Sequence, residues 1–131
     1  MHRDIKHENL IFKKNGDLSS LRLIDFGFAK FIEDKETVLE NCGSPGFIAP
    51  EIFAENGYDE KCDVFSAGVI LYSLLTQESP FSGLTTDSIL DNNEFCCVDY
   101  HSENIILSSF DCQELLQNML EKLPSDRLTI A

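Results

Sequence analysis

Two stretches of the chain carry a helical rhythm. Between residues 61 and 77, Val64, Phe65, Ala67, Gly68, Val69, Ile70, Leu71, Tyr72, Leu74 and Leu75 leave almost no polar face. A helix that is apolar all round is a buried helix. Gly68 in its interior costs about 1 kcal/mol relative to Ala, so close packing is expected at that position. From 110 to 121 the pattern is one-sided. Cys112, Leu115, Leu116, Met119, Leu120 and Leu123 recur at i, i+3, i+4, i+7, i+8 and i+11, a single apolar stripe. Ser109 is placed to cap this helix, Asp111 to suit its positive first turn, and Pro124 to end it. A short helix over Thr86–Leu90 is a weaker expectation.

The first third reads as strand and loop. Leu10-Ile11-Phe12 is a short apolar run, Asn15-Gly16 is a hairpin signal because both residues tolerate positive φ, and Leu21–Ile24 is the return strand. That strand delivers Asp25 at its end, so the hairpin is expected to hold Asp4 and Asp25 near one cleft. Residues 28–51 are polar and irregular, with Gly43, Pro45, Gly46 and Pro50. Loops of this length inside a compact domain are usually functional. The expected class is mainly α, of α+β type, with one small β-hairpin.

Composition narrows the chemistry. The 131 residues suffice for one small domain with a core. With 23 acidic against 10 basic residues the net charge is −13. A nucleic-acid partner is not expected, since phosphate binding needs a basic face. A basic peptide substrate suits this charge, and so does a plain solvated acidic surface. The five cysteines, Cys42, Cys62, Cys96, Cys97 and Cys112, are odd in number and form no C-x-x-C pair. That pattern argues against a disulfide framework or a zinc site and for reduced thiols in the cytoplasm. No apolar run reaches the roughly 18 residues that span a bilayer, so no membrane partner is expected. Met-His-Arg-Asp at the start has the character of neither a signal nor a transit peptide. Oligomeric state is not encoded.

Three short motifs bear on function. His2-Arg3-Asp4-Ile5-Lys6-His7-Glu8-Asn9 opens the chain, Asp25-Phe26-Gly27 follows, and Ala49-Pro50-Glu51 comes later. As an ordered set they resemble the catalytic-loop, metal-binding and activation-segment signatures of eukaryotic protein kinases. Lys6, two residues after Asp4, resembles the serine/threonine class. Cys42-Gly43-Ser44-Pro45-Gly46-Phe47-Ile48-Ala49-Pro50-Glu51 and Val69–Leu75 look most like the calcium/calmodulin-dependent group, with His7 where Pro is common. The resemblance implies transfer of the γ-phosphoryl group of ATP-Mg²⁺ to a protein Ser/Thr hydroxyl.

It also implies roles. Asp4 would be the base, Lys6 would hold the transferred phosphate, and Asn9 and Asp25 would offer oxygens to Mg²⁺, a hard cation. Ser44 would bridge Asp4 and Lys6, and Pro45–Ile48 would form the pocket for the substrate residue after the phosphoacceptor. His2 would brace the catalytic loop, with a metal-ligand or general-base role as the alternative. Phe26 would be a packing residue, and Gly27 would give backbone freedom to its turn. Arg3 would bind a negative charge on the activation loop. Glu40 stands where relatives carry a phosphorylated Thr, so it would supply a permanent, weaker charge, with Lys30 as a second cation; an exposed Glu without a role is the plain alternative. Glu51 would pair with Arg127 of Pro124-Ser125-Asp126-Arg127, and Asp63, in Asp63-Val64-Phe65-Ser66-Ala67-Gly68, would accept hydrogen bonds from the catalytic loop.

The family places a glycine-rich phosphate loop, a strand lysine and a helix-borne Glu ahead of the catalytic loop, and these 131 residues contain none of them. The resemblance therefore implies a partial domain over 1–131, a C-terminal lobe without its N-lobe. Weak ATP binding and exposed apolar surface would follow. Two functional classes stay open: a Ser/Thr kinase catalytic segment, and a non-catalytic kinase-like interaction or decoy module.

Overall fold

Lys61–Thr76 forms the longest helix, α1, and the rest of the chain is arranged around it. This computed structural model of the protein describes residues 1–33, 37–54 and 56–129. In chain order the regular elements are β1 (Leu10–Phe12), β2 (Leu21–Leu23), α1, α2 (Thr86–Phe95), α3 (Glu103–Ile106) and α4 (Phe110–Met119). The class is as expected: mostly helical, with one two-stranded antiparallel sheet.

The hairpin forms with Leu10 opposite Leu23 and Phe12 opposite Leu21. Its connection differs from the two-residue turn that Asn15-Gly16 signals. Only Gly16 takes a positive φ, at 79°. The loop instead runs over eight residues and closes with a 3₁₀ turn at Leu18–Ser20, which Asp17 caps by accepting from the Ser19 amide. The Ser20 hydroxyl donates to the carbonyls of Lys14 and Asp17, and this local bonding outcompetes a tight turn. Residues 28–33 and 37–49 form no helix or strand, as expected, and a 3₁₀ turn starts at Pro50 and runs to Phe53; 34–36 fall outside the described residues. The described part is tied down by a bridge between Val38 and Tyr58.

Helix α1 is buried along most of its length, with Phe65 and Val69 fully enclosed. It packs on α4 through Leu116 and Leu120 and on α3 through Ile105. Its last turn departs from the all-round burial expected: Leu74 is 64% exposed, and the helix stops at Gln77, whose φ is 63°. Gly68 is the point of closest approach. A Cβ there would meet the Met119 Cβ at 2.9 Å and the Leu120 Cδ2 at 3.0 Å.

Ser109 caps α4 by accepting from the Cys112 amide, as its position predicts. The helix ends at Met119, earlier than Pro124 requires, because the Leu120 amide is shared between the Leu116 and Gln117 carbonyls and tightens the last turn. The buried part of its stripe is narrower than the pattern suggests: Leu116 and Leu120 are enclosed while Leu115 and Leu123 are exposed. Helix α2 is twice the expected length. Thr85 and Ser88 form a reciprocal capping box at its start, and its second half is held by burial of Asn93 rather than by an apolar stripe. No helix among the described residues is long and apolar enough to cross a membrane.

Replacing Gly68 by Ala gains about 1 kcal/mol of helix propensity. It also forces the α1–α4 contact apart, at a typical overpacking cost of about 1–3 kcal/mol. The expected net result is a lower Tm in thermal denaturation, whereas Ala at exposed Leu74 changes it little.

Candidate active site

The catalytic-loop segment is hung from the start of α1. Asp63, in the first turn, accepts from the backbone amides of His2 at 2.5 Å and Arg3 at 2.8 Å. These bonds hold Arg3 in a left-handed conformation, φ 71°, that a residue with a Cβ rarely adopts. His2 completes the brace. Its Nδ1 accepts from the Asp4 amide at 3.3 Å, so Nε2 carries the proton and donates to the Ile24 carbonyl at 3.1 Å. The imidazole also meets Phe26 edge-on, with ring centroids 5.0 Å apart.

This brace and the hairpin together bring the two acidic motifs to one place. The Ile24 amide donates to the Asn9 carbonyl at 2.9 Å, which sets Asn9 beside Asp25. Asp25 takes φ 61°, is exposed, and accepts from the Gly27 amide at 3.1 Å. The Asn9 amide nitrogen donates to the Asp4 carbonyl and carboxylate, at 2.8 and 3.2 Å, which fixes the amide so that its Oδ1 points away from Asp4 as an available acceptor. Two hard-oxygen groups, one amide and one carboxylate, thereby stand at adjoining strand ends. Mg²⁺ suits such a pair, since it keeps water and phosphate for its remaining positions. No cluster of three His, Cys, Asp or Glu able to hold a metal exists among the described residues.

Asp4, Lys6 and Ser44 form a closed triangle. Lys6 Nζ lies 2.8 Å from Asp4 Oδ2 and donates to Ser44 Oγ at 2.6 Å, and Ser44 Oγ donates to Asp4 Oδ1 at 2.7 Å. Burial pushes the Asp4 carboxyl up, but hydrogen bonds from Lys6, Ser44 and Asn9 and the Lys6 charge outweigh it and hold the group below its ordinary 3.8. The hydrogen bond to Asp4 holds the Lys6 ammonium above its ordinary 10.5, with Asp25 among the charges that add to this. The depressed carboxyl contributes stability above its unfolded value that is lost as pH falls through the folded one. The raised ammonium contributes stability below its unfolded value that is lost as pH rises through the folded one. The charged triangle therefore stands across the neutral range.

Arg3 reaches the other loop. Its Nη1 is 3.2 Å from Glu40 Oε2, and its Nε donates to the Phe28 carbonyl at 2.5 Å. Lys30 does not join this pair; its backbone is tied to Met1 instead, by bonds of 3.0 Å in both directions. Tyr58 is a member that sequence reasoning missed. Its hydroxyl accepts from Arg3 at 3.3 Å and donates to the Glu40 carbonyl at 2.6 Å. Burial pushes the phenol up, so it stays protonated and able to donate. No local signal marks Tyr58, because it stands 55 residues from Arg3.

Glu51 and Arg127 pair in fork geometry: Nη1 meets Oε1, and Nη2 meets Oε2 at 2.8 Å. Arg127 is fully enclosed. It also donates to the carbonyls of Lys61, Glu121 and Lys122 and lies 4.9 Å from the Phe65 ring. Every part of the guanidinium is occupied, the condition under which a buried charge is tolerated. Beside the Ser44 segment lies a cavity of about 620 Å³, lined by His7, Pro45, Gly46, Phe47, Phe81 and Ile89 among others.

The fold thus positions three motifs together: a braced His-Arg-Asp segment, a hairpin-borne Asp-Phe-Gly and a clamped Ala-Pro-Glu. The chain matches the protein kinase domain over residues 1–131 and belongs to that family. It is 40% identical over 129 residues to a probable serine/threonine-protein kinase 2 of Plasmodium falciparum, covering 98% of this chain and 25% of the relative. It is 38% identical to calcium-dependent protein kinase 25 of Arabidopsis thaliana, again 98% against 25%. Serine/threonine-protein kinase ATG1b of the same plant is 35% identical, with 18% of its length covered. The chain thus spans a quarter or less of these relatives.

Removing one partner of a buried ion pair costs about 3–5 kcal/mol. Arg127→Ala should accordingly lower the Tm by about 10 °C or more at this chain length, and Arg127→Lys should recover little, lacking the fork. An unshifted melt would refute the structural role.

Proposed function

We propose that this chain is the catalytic-loop and activation-segment part of a serine/threonine protein kinase, the C-terminal lobe. The observation that carries the reading is the Asp4–Lys6–Ser44 triangle, closed by bonds of 2.6 to 2.8 Å. An incoming Ser or Thr hydroxyl takes the place next to Asp4 where Ser44 Oγ now donates, and its proton passes to the Asp4 carboxylate. Lys6, already within reach of both, neutralises charge on the phosphoryl group in transfer. ATP-Mg²⁺ supplies the phosphoryl group, with Asn9 and Asp25 as the oxygen donors to the ion. The exposed faces of Ile11, Phe12, Leu21, Phe26 and Phe28 suit an apposed nucleotide-binding lobe. The acidic surface favours basic peptides, and the unpaired thiols suit the cytoplasm.

Arg3, Tyr58 and Glu40 form a regulatory contact in this reading. Glu40 gives Arg3 a standing negative partner, so the activation segment is held without phosphorylation. Its 72% exposed side chain keeps the pair modest, at roughly 0–1 kcal/mol.

The test is phosphotransfer from γ-labelled ATP with Mg²⁺ to a Ser/Thr peptide library, using the protein with a nucleotide-binding lobe in place. Asp4→Asn should lower kcat by on the order of 10²–10⁴ while preserving the Tm shift that Mg²⁺-ATP produces. Labelling that survives Asp4→Asn would sink the assignment. Glu40→Gln should reduce the rate severalfold, and an unchanged rate would remove Glu40 from the regulatory contact. A protein that binds peptides but transfers no phosphate would be the non-catalytic module instead.

A further inference from the structure

Asn93 is polar and wholly enclosed, with 0% of its surface exposed. It sits in the last turn and a half of α2, where an apolar residue would be the ordinary choice for a buried helix face. Its amide faces residues 46–48, forty-five or more positions away. The Gly46 amide donates to Asn93 Oδ1 at 2.8 Å, and Asn93 Nδ2 donates to the Ile48 carbonyl at 2.9 Å. The two partners fix the amide orientation, because a backbone N–H must meet the oxygen and a carbonyl must meet the nitrogen. Gly46 and Ile48 are both buried, so no water replaces these bonds.

The clamped segment is the one next to Ser44. Gly46 takes φ 91°, a conformation with little intrinsic preference to persist in a side-chain-bearing loop, and its amide is held by Asn93. Pro45, Gly46 and Phe47 line the 620 Å³ cavity, and α2 adds Ile89 to the same wall. One helix thus supplies both a wall of the groove and the bracket behind its floor.

We propose that Asn93 is a positioning residue for the phosphoacceptor peptide: through the Gly46 amide and the Ile48 carbonyl it fixes the backbone against which the substrate lies. This rests on the kinase reading above. The effect falls on peptide binding, because neither bond of Asn93 reaches Asp4, Lys6 or Asn9, and Ser44 is fastened to Asp4 and Lys6 directly. A loosened 46–48 segment raises the peptide KM and leaves the ATP KM alone.

The experiment compares wild type with Asn93→Leu, which keeps the volume and removes both bonds, and with Asn93→Asp. Gly46 amide exchange, read by NMR, should quicken by about tenfold or more in Asn93→Leu. For the best library peptide, KM should rise about tenfold with kcat within about twofold. In Asn93→Asp the ionised carboxylate keeps the acceptor and loses the donor. Burial raises such a carboxyl, so the KM defect should shrink as pH falls from about 8 to about 6 and the neutral group donates again. This second variant keeps the test standing if the first fails to fold. Unchanged Gly46 exchange overturns the clamp. Faster exchange with an unmoved peptide KM overturns its role in substrate positioning. A wild type that phosphorylates no peptide counts against the kinase reading, whereas an active wild type with unmoved KM counts against Asn93 alone.

Discussion

Two hydrogen bonds accepted by Asp63 hold the rest of the site in place. Its carboxylate receives the amides of His2 and Arg3, and Arg3 stays in a left-handed conformation because of it. Asp63 can do this only from a rigid mount. The mount is α1, whose Phe65 and Val69 are enclosed and whose Gly68 lets α4 approach to contact distance. A small shift of α1 would therefore move the catalytic-loop backbone directly, with nothing in between to absorb it. The cost of the strained backbone is offset by charge-assisted bonds from a carboxylate, roughly twice as strong as neutral ones.

The same helix anchors the other side of the site by a different device. Arg127 bonds to Glu51, to the Lys61 carbonyl at the start of α1 and to the carbonyls that follow α4, while its guanidinium lies near Phe65. Asn93 holds 46–48 from α2, and the Ser66 hydroxyl holds the Phe47 carbonyl at 2.8 Å. The long irregular segment is thus fastened at its far end by three buried polar groups. Its nearer part rests on the Val38–Tyr58 bridge and the Arg3–Glu40 contact, which is largely solvated. The buried polar tethers therefore cluster toward the Ser44–Glu51 end of the segment.

The electrostatics of the triangle follow from its enclosure. Asp4 is buried yet ionised, because three donors converge on it. A carboxylate so well satisfied is a weak base on its own. In the proposed reaction, displacing Ser44 and engaging Lys6 with phosphate would remove two of those donors and raise its basicity.

The two helical periodicities, the hairpin strands and the acidic motifs were legible in order along the chain because each is a local pattern: α1, α4 and the Leu10–Leu23 pairing follow from spacing and caps. The pairing of Glu51 with Arg127 was legible only through family resemblance, since 76 residues separate them. What tertiary structure alone decided was non-local. Asn15-Gly16 lost its tight turn to the bonds of Ser20, α2 ran on past its weak pattern because Asn93 found partners across the fold, and Tyr58 joined Arg3 and the Glu40 carbonyl. The physical reason is common to these cases: a polar side chain carries no periodicity, and its place is set by whichever buried backbone group the packing leaves for it to satisfy.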